Sequence, residues 1–436
     1  MAATALTLES TKAPLRAFAA MLLGLCLAGC GASATGTARP VTAPSTTGGS
    51  PSDEQPTSAQ DTAASEETAD SSAATTDKPA AAPAQSTEGG DWPVCRGNAL
   101  ATGVAKGTLP EDLEVLWKFN SDTHGFEAAV AIVDGTVFAG SLDGELYALS
   151  LADGSLKWKH HTELGFSAPP AVANGRVFAG DADGRFYCLD AATGKPLWGY
   201  EAGAEIDSGP NFYKDWVLFG SQDATLYCLE QATGKLVWEY TIGDQVRCSP
   251  TVVDGRAFLA GCDAKLHIID LDKGEAITAV EIDGPTGSTP AVGDDCVYFG
   301  TEGPSFFAIN WTDGKIKWQV RPNRNLPIRS SAAVTPEAII FGGHDKHVYA
   351  VNPETGEEIW SFGTRAKVDS SPVVVGDRVF FGSGDGRLFG LDRATGKKVF
   401  EYEAGGHFVA SPAVADGRLV IGNTDTTLYC FGAKNP

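Results

Sequence analysis

Residues 183–198 read "DGRFYCLDAATGKPLW", and forty residues later 223–238 read "DATLYCLEQATGKLVW". Variants return at 345–360, "DKHVYAVNPETGEEIW", and at 385–400, "DGRLFGLDRATGKKVF". A fixed period of this size marks units that cannot bury their apolar faces alone and stack on one another to do so. Aligning on the Gly that ends each "VFAG", "VLFG" or "VYFG" run gives Gly140, Gly180, Gly220, Gly261, Gly300, Gly342, Gly382 and Gly422. The intervals are 40, 40, 41, 39, 42, 40 and 40, so eight units fill the chain from about residue 121 onward.

Each unit reads as four short strands. In the second, "SAPPAVAN", "RVFAG", "RFYCLD" and "PLWGYEA" are separated by Asn174-Gly175, Asp183-Gly184 and Thr193-Gly194. Asn-Gly and Asp-Gly between alternating runs predict tight hairpins with positive φ at both central residues. Asp-Gly recurs at 134–135, 143–144, 254–255, 385–386 and 416–417, so the calcium-loop look of "DADG" (181–184) has a simpler source in a hairpin turn. A Trp follows the third-turn Gly by four residues at Trp158, Trp198, Trp238, Trp318 and Trp360, with Thr278 and Phe400 in the same slot of units four and seven. One large aromatic per unit suits packing between neighbouring sheets.

The eighth unit stops at "TTLYCFGAKNP" without a fourth strand, yet "LEVLWKFN" (113–120) precedes the first unit and places Trp117 forty-one residues before Trp158. A strand supplied from the N-terminal side would close a ring and remove both sheet edges. The expected fold is all-β: an eight-bladed β-propeller of four-stranded blades, closed by strand 113–120 completing the last blade.

The N-terminal region reads differently. Lys12 and Arg16 precede the apolar run 17–30, too short to span a bilayer and placed like a secretory signal. It ends in Leu27-Ala28-Gly29-Cys30, which resembles a bacterial lipobox, so 1–29 is expected to be a lipoprotein signal peptide and Cys30 the lipidation site. The absence of Asp at Gly31 favours the outer membrane, facing the periplasm. Residues 30–90 are rich in Ala, Ser, Thr and Pro and are expected to form a disordered tether with a reach of roughly 40–45 Å. The formal charge of −22 divides as +1 for 1–30, −6 for 31–90 and −17 for 91–436. An acidic body argues against nucleic acid as a partner. Seven cysteines remain beyond Cys26 and Cys30, an odd number at irregular spacing. Cys188, Cys228 and Cys430 share one strand position with Ala148, Ala308, Ala350 and Gly390, as small buried filler would.

The repeated "LYALDxxTGKxxW" phrase resembles the repeat of the pyrroloquinoline quinone (PQQ) propellers, over about residues 113–436. "DWPVCRGN" (91–98) is similar to the lead-in of environmental bacterial proteins with these repeats, and its Trp92 and Arg96 are expected beside the closing blade. Two branches of the family differ in what they imply. The quinoprotein dehydrogenases hold PQQ and Ca²⁺ beneath long inter-blade insertions, and their main alcohol-oxidising branch adds a vicinal Cys-Cys pair. The BamB-type barrel-assembly lipoproteins are non-catalytic and bind envelope proteins. Intervals of 39–42 leave no loop to cover a cofactor, and no Cys-Cys occurs. The chain is therefore read as a non-enzymatic, lipid-anchored, monomeric envelope scaffold with no cofactor, its partner an envelope protein such as the outer-membrane barrel-assembly machinery. The alternatives are a PQQ-dependent dehydrogenase and an extracytoplasmic sensor or glycan-binding propeller, the last suggested by Phe126, Phe166 and Phe408 near the channel mouth.

The residues just before each innermost strand ring one mouth of the channel. They are Glu127, Ser167, Asp207, Arg247, Gly287, Arg329, Asp369 and Val409. The resemblance marks Asp369 in "VDSSP" as a partner-contacting position, with Asp207 in "IDSGP" and Arg329 in "IRSSA" beside it. Glu127, Asp207, Arg247, Arg329 and Asp369 are thus the partner-binding candidates. Their competing role is structural, as ion pairs Asp207–Arg247 and Arg329–Asp369. His344 and His347 in "GGHDKHVY" are expected to be exposed turn residues, since hairpin spacing does not align both rings for a metal.

Overall fold

The computed structural model describes residues 90–322 and 325–434. The expectations for 1–29, Cys30 and 31–89 lie outside the described residues. Eight antiparallel sheets of four strands each account for the rest, every one a meander in chain order except the last. Blade 2, for instance, runs Ala171–Ala173, Arg176–Gly180, Arg185–Asp190 and Pro196–Glu201, from the channel outward. In blade 8 the strands Ala413–Ala415, Arg418–Gly422 and Thr427–Gly432 are completed by Glu114–Asn120. Glu114 lies opposite Gly432 and Asn120 opposite Thr427, with a bulge between Val115 and Trp117. The ring closes as the sequence requires.

Burial explains the strand patterns. Second and third strands are covered on both faces by neighbouring blades, so runs such as "VFAG" and "LYCL" are nearly continuous in apolar residues. Fourth strands alternate exposed and half-buried positions, because only their inner face meets another blade. The first hairpin has positive φ at both central residues, as at Asp134/Gly135 and Asn174/Gly175. In the second hairpin only the second residue is left-handed (Gly144, Gly184, Gly386), which corrects the expectation for 143–144, 183–184 and 385–386.

The Trp and the "TG" of the repeat form one joint. Each Trp reaches sideways, and its Nε1 donates to a carbonyl of the next blade. Trp117 bonds Leu151 at 2.9 Å, Trp158 bonds Ala191 at 2.9 Å, Trp198 bonds Gln231 at 3.0 Å and Trp238 bonds Leu271 at 3.0 Å. Trp318 and Trp360 bond Pro353 and Arg393 in the same way, each at 2.8 Å. The ring lies flat against the third-turn Gly of that next blade. A Cβ at Gly194 would stand 2.6 Å from the Trp158 ring. Phe400 packs edge-on against Phe431 of blade 8, with ring centroids 6.1 Å apart. Where Thr278 leaves the slot empty, Trp311 of blade 5 fills the joint from the other side, 6.0 Å from Phe258 and under the Arg256 guanidinium. Cys188, Cys228 and Cys430 are fully buried in the third strands.

The lead-in is not placed beside the closing blade alone. Residues 92–105 run once around the inner ring, on the side of the first hairpins, and hydrogen-bond blade after blade. Trp92 exchanges two backbone bonds with Ile132 of blade 1. The carbonyls of Pro93, Ala99, Leu100, Thr102 and Gly103 accept from Val172, Val252, Val292, Val334 and Val374 of blades 2, 4, 5, 6 and 7. In blade 3 the Asn211 side chain takes the place of the missing backbone bond, donating to Ala99 and accepting from Phe212. The belt thereby satisfies amides on innermost strands that otherwise present an open edge to the channel. Arg96 does not lie beside blade 8 at all. Its guanidinium donates to the carbonyls of Ala332, Ser371 and Pro372 in blades 6 and 7, so it crosses the lumen.

Candidate functional site: the charged channel mouth

The loops entering the innermost strands lie at the end of the channel away from the belt, and each is pinned in the same way. The residue two positions after the strand-ending Gly donates its amide to the carbonyl two positions before the ring residue. Gln222 bonds Glu205, Glu302 bonds Pro285, His344 bonds Pro327 and Gly384 bonds Lys367. The second hairpins therefore stand beside the ring, and their side chains meet the ring residue of the following blade. Glu302 holds Arg329 at 2.6 and 3.3 Å. His344 Nε2 meets Asp369 at 2.6 Å, and Gln222 lies 3.4 Å from Arg247.

The ion pairs expected within the ring do not form. Arg329 goes to Glu302, and Asp369 is shared by His344 and Lys367, the latter at 2.8 Å. Burial works to raise the Asp369 carboxyl, but the bonds from His344 and Lys367 outweigh it and hold it at about 2. Asp207 accepts from Ser167 at 2.8 Å and from Gln222 at 2.6 Å. Glu205 shares both donors, at 3.4 and 3.0 Å. Burial and the adjacent Asp207 charge push the Glu205 carboxyl up to about 7. Among the described residues Arg247 meets only the amide oxygens of Gln245 and Gln222 and makes no ion pair. Glu127 has no hydrogen-bond partner among the described residues. Burial raises its carboxyl, with Lys367 opposing and Asp369 adding to the shift.

Two further expectations need correcting. Phe126, Phe166 and Phe408 are fully buried between blades, where Gly422, Gly140 and Gly382 make room for them. They offer no aromatic surface at the mouth. His344 is not an exposed turn residue but a half-buried member of the mouth, while His347 caps the carbonyl of Asp345 on its own hairpin. The residues missed by sequence, Glu205, Gln222, Glu302, His344 and Lys367, carry a signal nonetheless. Three of them, Gln222, Glu302 and His344, occupy one column of the repeat, two residues after the aligned Gly, and polar side chains there stand out against Leu142 and Ala182.

A ring of repeated blades with this phrase defines the PQQ-like repeat propellers. The family model described as outer membrane protein assembly factor BamB matches residues 101–207, 187–277, 255–361 and 344–435, and the chain belongs to that family. The crystal structure of BamB from Moraxella catarrhalis is 19% identical, with a TM-score of 0.65, covering 74% of this chain and 100% of that one. The quinohemoprotein alcohol dehydrogenase from Comamonas testosteroni is 16% identical, with a TM-score of 0.69, covering 80% and 82%. The computationally designed Ika8 protein is 17% identical, with a TM-score of 0.66, covering 73% and 100%. At these identities the likeness is one of fold, shared by a natural assembly factor, an enzyme and a design. A comparison with curated proteins yields no match.

Proposed function

We propose that this chain is a non-enzymatic docking scaffold of the bacterial cell envelope, held to the outer membrane through a lipid on Cys30 and presenting the charged mouth to a protein partner. The partner is a component of the outer-membrane barrel-assembly machinery, and the propeller acts as a monomer that binds no nucleic acid. One observation carries the reading: the ring combines fixed charges with unanswered ones. Arg329 and Asp369 are locked by Glu302 and by His344 and Lys367, whereas Arg247 has amide partners only and Glu127 has none among the described residues. A rigid rim with spare donor and acceptor capacity suits a partner loop inserted over it. Gly287 leaves a notch between Arg247 and Arg329, where an added Cβ would touch only the Arg247 Cβ at 3.6 Å.

The donor set at the mouth does not fit a quinone held through a calcium ion. Among the described residues no three His, Cys, Asp or Glu side chains converge as metal ligands. The close carboxylate pair Glu205 and Asp207 is already engaged by Gln222 and Ser167. In this reading the chain works without a cofactor.

The test is co-purification with the barrel-assembly machinery of its own envelope, comparing wild type with Gly287→Trp and Asp369→Ala. The complex is expected with wild type and lost with both variants. Equal recovery by all three would sink the mouth as the docking face. Calorimetric titration with PQQ plus Ca²⁺ is the second arm, and binding tighter than about 10 μM, roughly 7 kcal/mol, would restore the dehydrogenase reading.

A further inference from the structure

The belt brings one buried cation into the lumen and leaves it without a counter-charge. Arg96 is 3% exposed, and all three of its hydrogen bonds go to neutral carbonyls, at 3.2 Å for Ser371 and 3.0 Å for Ala332, with Pro372 closer still. Among the described residues no carboxylate stands within ion-pair distance, and its Nε–H is buried with no partner. The one charge-bearing neighbour that acts on it is the Cys95 thiol, which burial raises and so keeps neutral. A buried guanidinium normally has a paired anion, because desolvating it alone is costly.

A second observation supplies the rest of a site. In the innermost loops the second hydroxyl of the "SSP"-type motif accepts an amide from the preceding blade. Thr289 bonds Ser331, Ser331 bonds Ser371, and Ser371 bonds Ser411, at 3.0, 2.9 and 2.9 Å. Each of these hydroxyls accepts an amide and none donates to a partner among the described residues, so their protons are available. They also face the channel. Ser331 and Ser371 are 6% and 7% exposed, whereas their neighbours Ser330 and Ser370 are at 0%. Ser371 contributes its carbonyl to Arg96 and its hydroxyl to this arc, so guanidinium and hydroxyls share one place on blades 6 to 8.

We propose that the channel interior, where Arg96 of the belt reaches the innermost loops, is a binding site for a small monovalent anion of about chloride size, held by Arg96 and the hydroxyls of Ser331, Ser371 and Ser411. Several neutral O–H donors around one guanidinium match a weakly hydrated monovalent ion. Such an ion gives the belt a counter-charge and clasps it to blades 6, 7 and 8. The site uses none of the charged mouth residues and so does not depend on their docking role, although Ser331 and Ser371 follow Arg329 and Asp369 by only two positions.

The experiment follows the thermal midpoint of the purified protein in chloride and in gluconate at matched ionic strength, with bromide soaked into crystals as an anomalous scatterer. Chloride is expected to raise the wild-type midpoint along a saturating curve. Ser371→Ala should then need about tenfold more chloride for half the effect, the loss of one charge-assisted hydrogen bond. Arg96→Gln should show no chloride effect. A purely structural role for either residue would lower its midpoint equally in both salts. Bromide density is expected in the lumen between Arg96 and Ser371. Identical wild-type midpoints in the two salts, or a lumen empty of bromide at Arg96, would overturn the proposal.

Discussion

The two ends of the channel use polar groups in opposite ways. Along the belt the chain wraps on itself, and carbonyls and amides answer each other blade by blade, with Arg96 the one charged residue of 92–105. At the mouth, charged side chains are gathered from two hairpin positions per blade, and some, like Glu127 and Arg247, are left with capacity to spare. Backbone pairing tolerates almost any sequence but demands close approach, so the belt end is sensitive to volume. Side-chain pairing is specific and partly solvated, so the mouth tolerates volume and is sensitive to charge.

Volume at the belt end gives the largest expected effect. A Cβ at Gly103 would fall 1.9 Å from Arg96 Nη2, on a backbone with φ of +63°. Gly103→Val should therefore lower stability by about 3 kcal/mol or more, read as a shifted denaturant midpoint. A loss below about 1 kcal/mol would mean that the belt is dispensable. At the mouth, Asp369→Ala removes the shared partner of His344 and Lys367, and about 1–2 kcal/mol should be lost at neutral pH.

Glu205→Gln separates the two ends by pH. The Glu205 carboxyl is raised from 4.5 to about 7, so the folded chain holds a proton that the unfolded chain has released. Wild-type stability therefore falls as pH climbs through that window, and the penalty is complete above it. The variant should gain about 1–2 kcal/mol at pH 8, after allowance for solvent screening, and converge with wild type towards pH 4.5. A constant difference at all pH values would contradict the shared Glu205–Asp207 site. Gly287→Trp comes last, with a stability change within about 0.5 kcal/mol, because its Cβ has room and its φ is not left-handed. Unfolding measured beside partner capture would show whether the mouth loses function without losing fold.

The joints between blades were legible because the repeat writes them eight times over. Each Trp and the Gly it packs on belong to adjacent units of one alignment, so periodicity alone placed Trp117 to Trp360 and Phe400 between sheets. Trp311 escaped, since it fills the Thr278 gap from another position. At the mouth the ring column was legible but its partners were not. Arg329 meets Glu302, and Asp369 meets His344, because a hairpin of one blade leans over the loop of the next. That lean is a property of blade packing, not of spacing along the chain.

By itself the sequence determined the eightfold ring, its closure by the strand before the first unit, and the column of ring residues at the mouth. Those follow from local periodicity, which every blade repeats. Only the tertiary structure decided what occupies the channel and which charges are answered. The lead-in occurs once, has no period, and takes its path from amides that exist only after the ring has closed. The same closure sends Arg96 into the lumen and leaves Glu127 and Arg247 at the rim, because both results depend on which blades face each other across the axis.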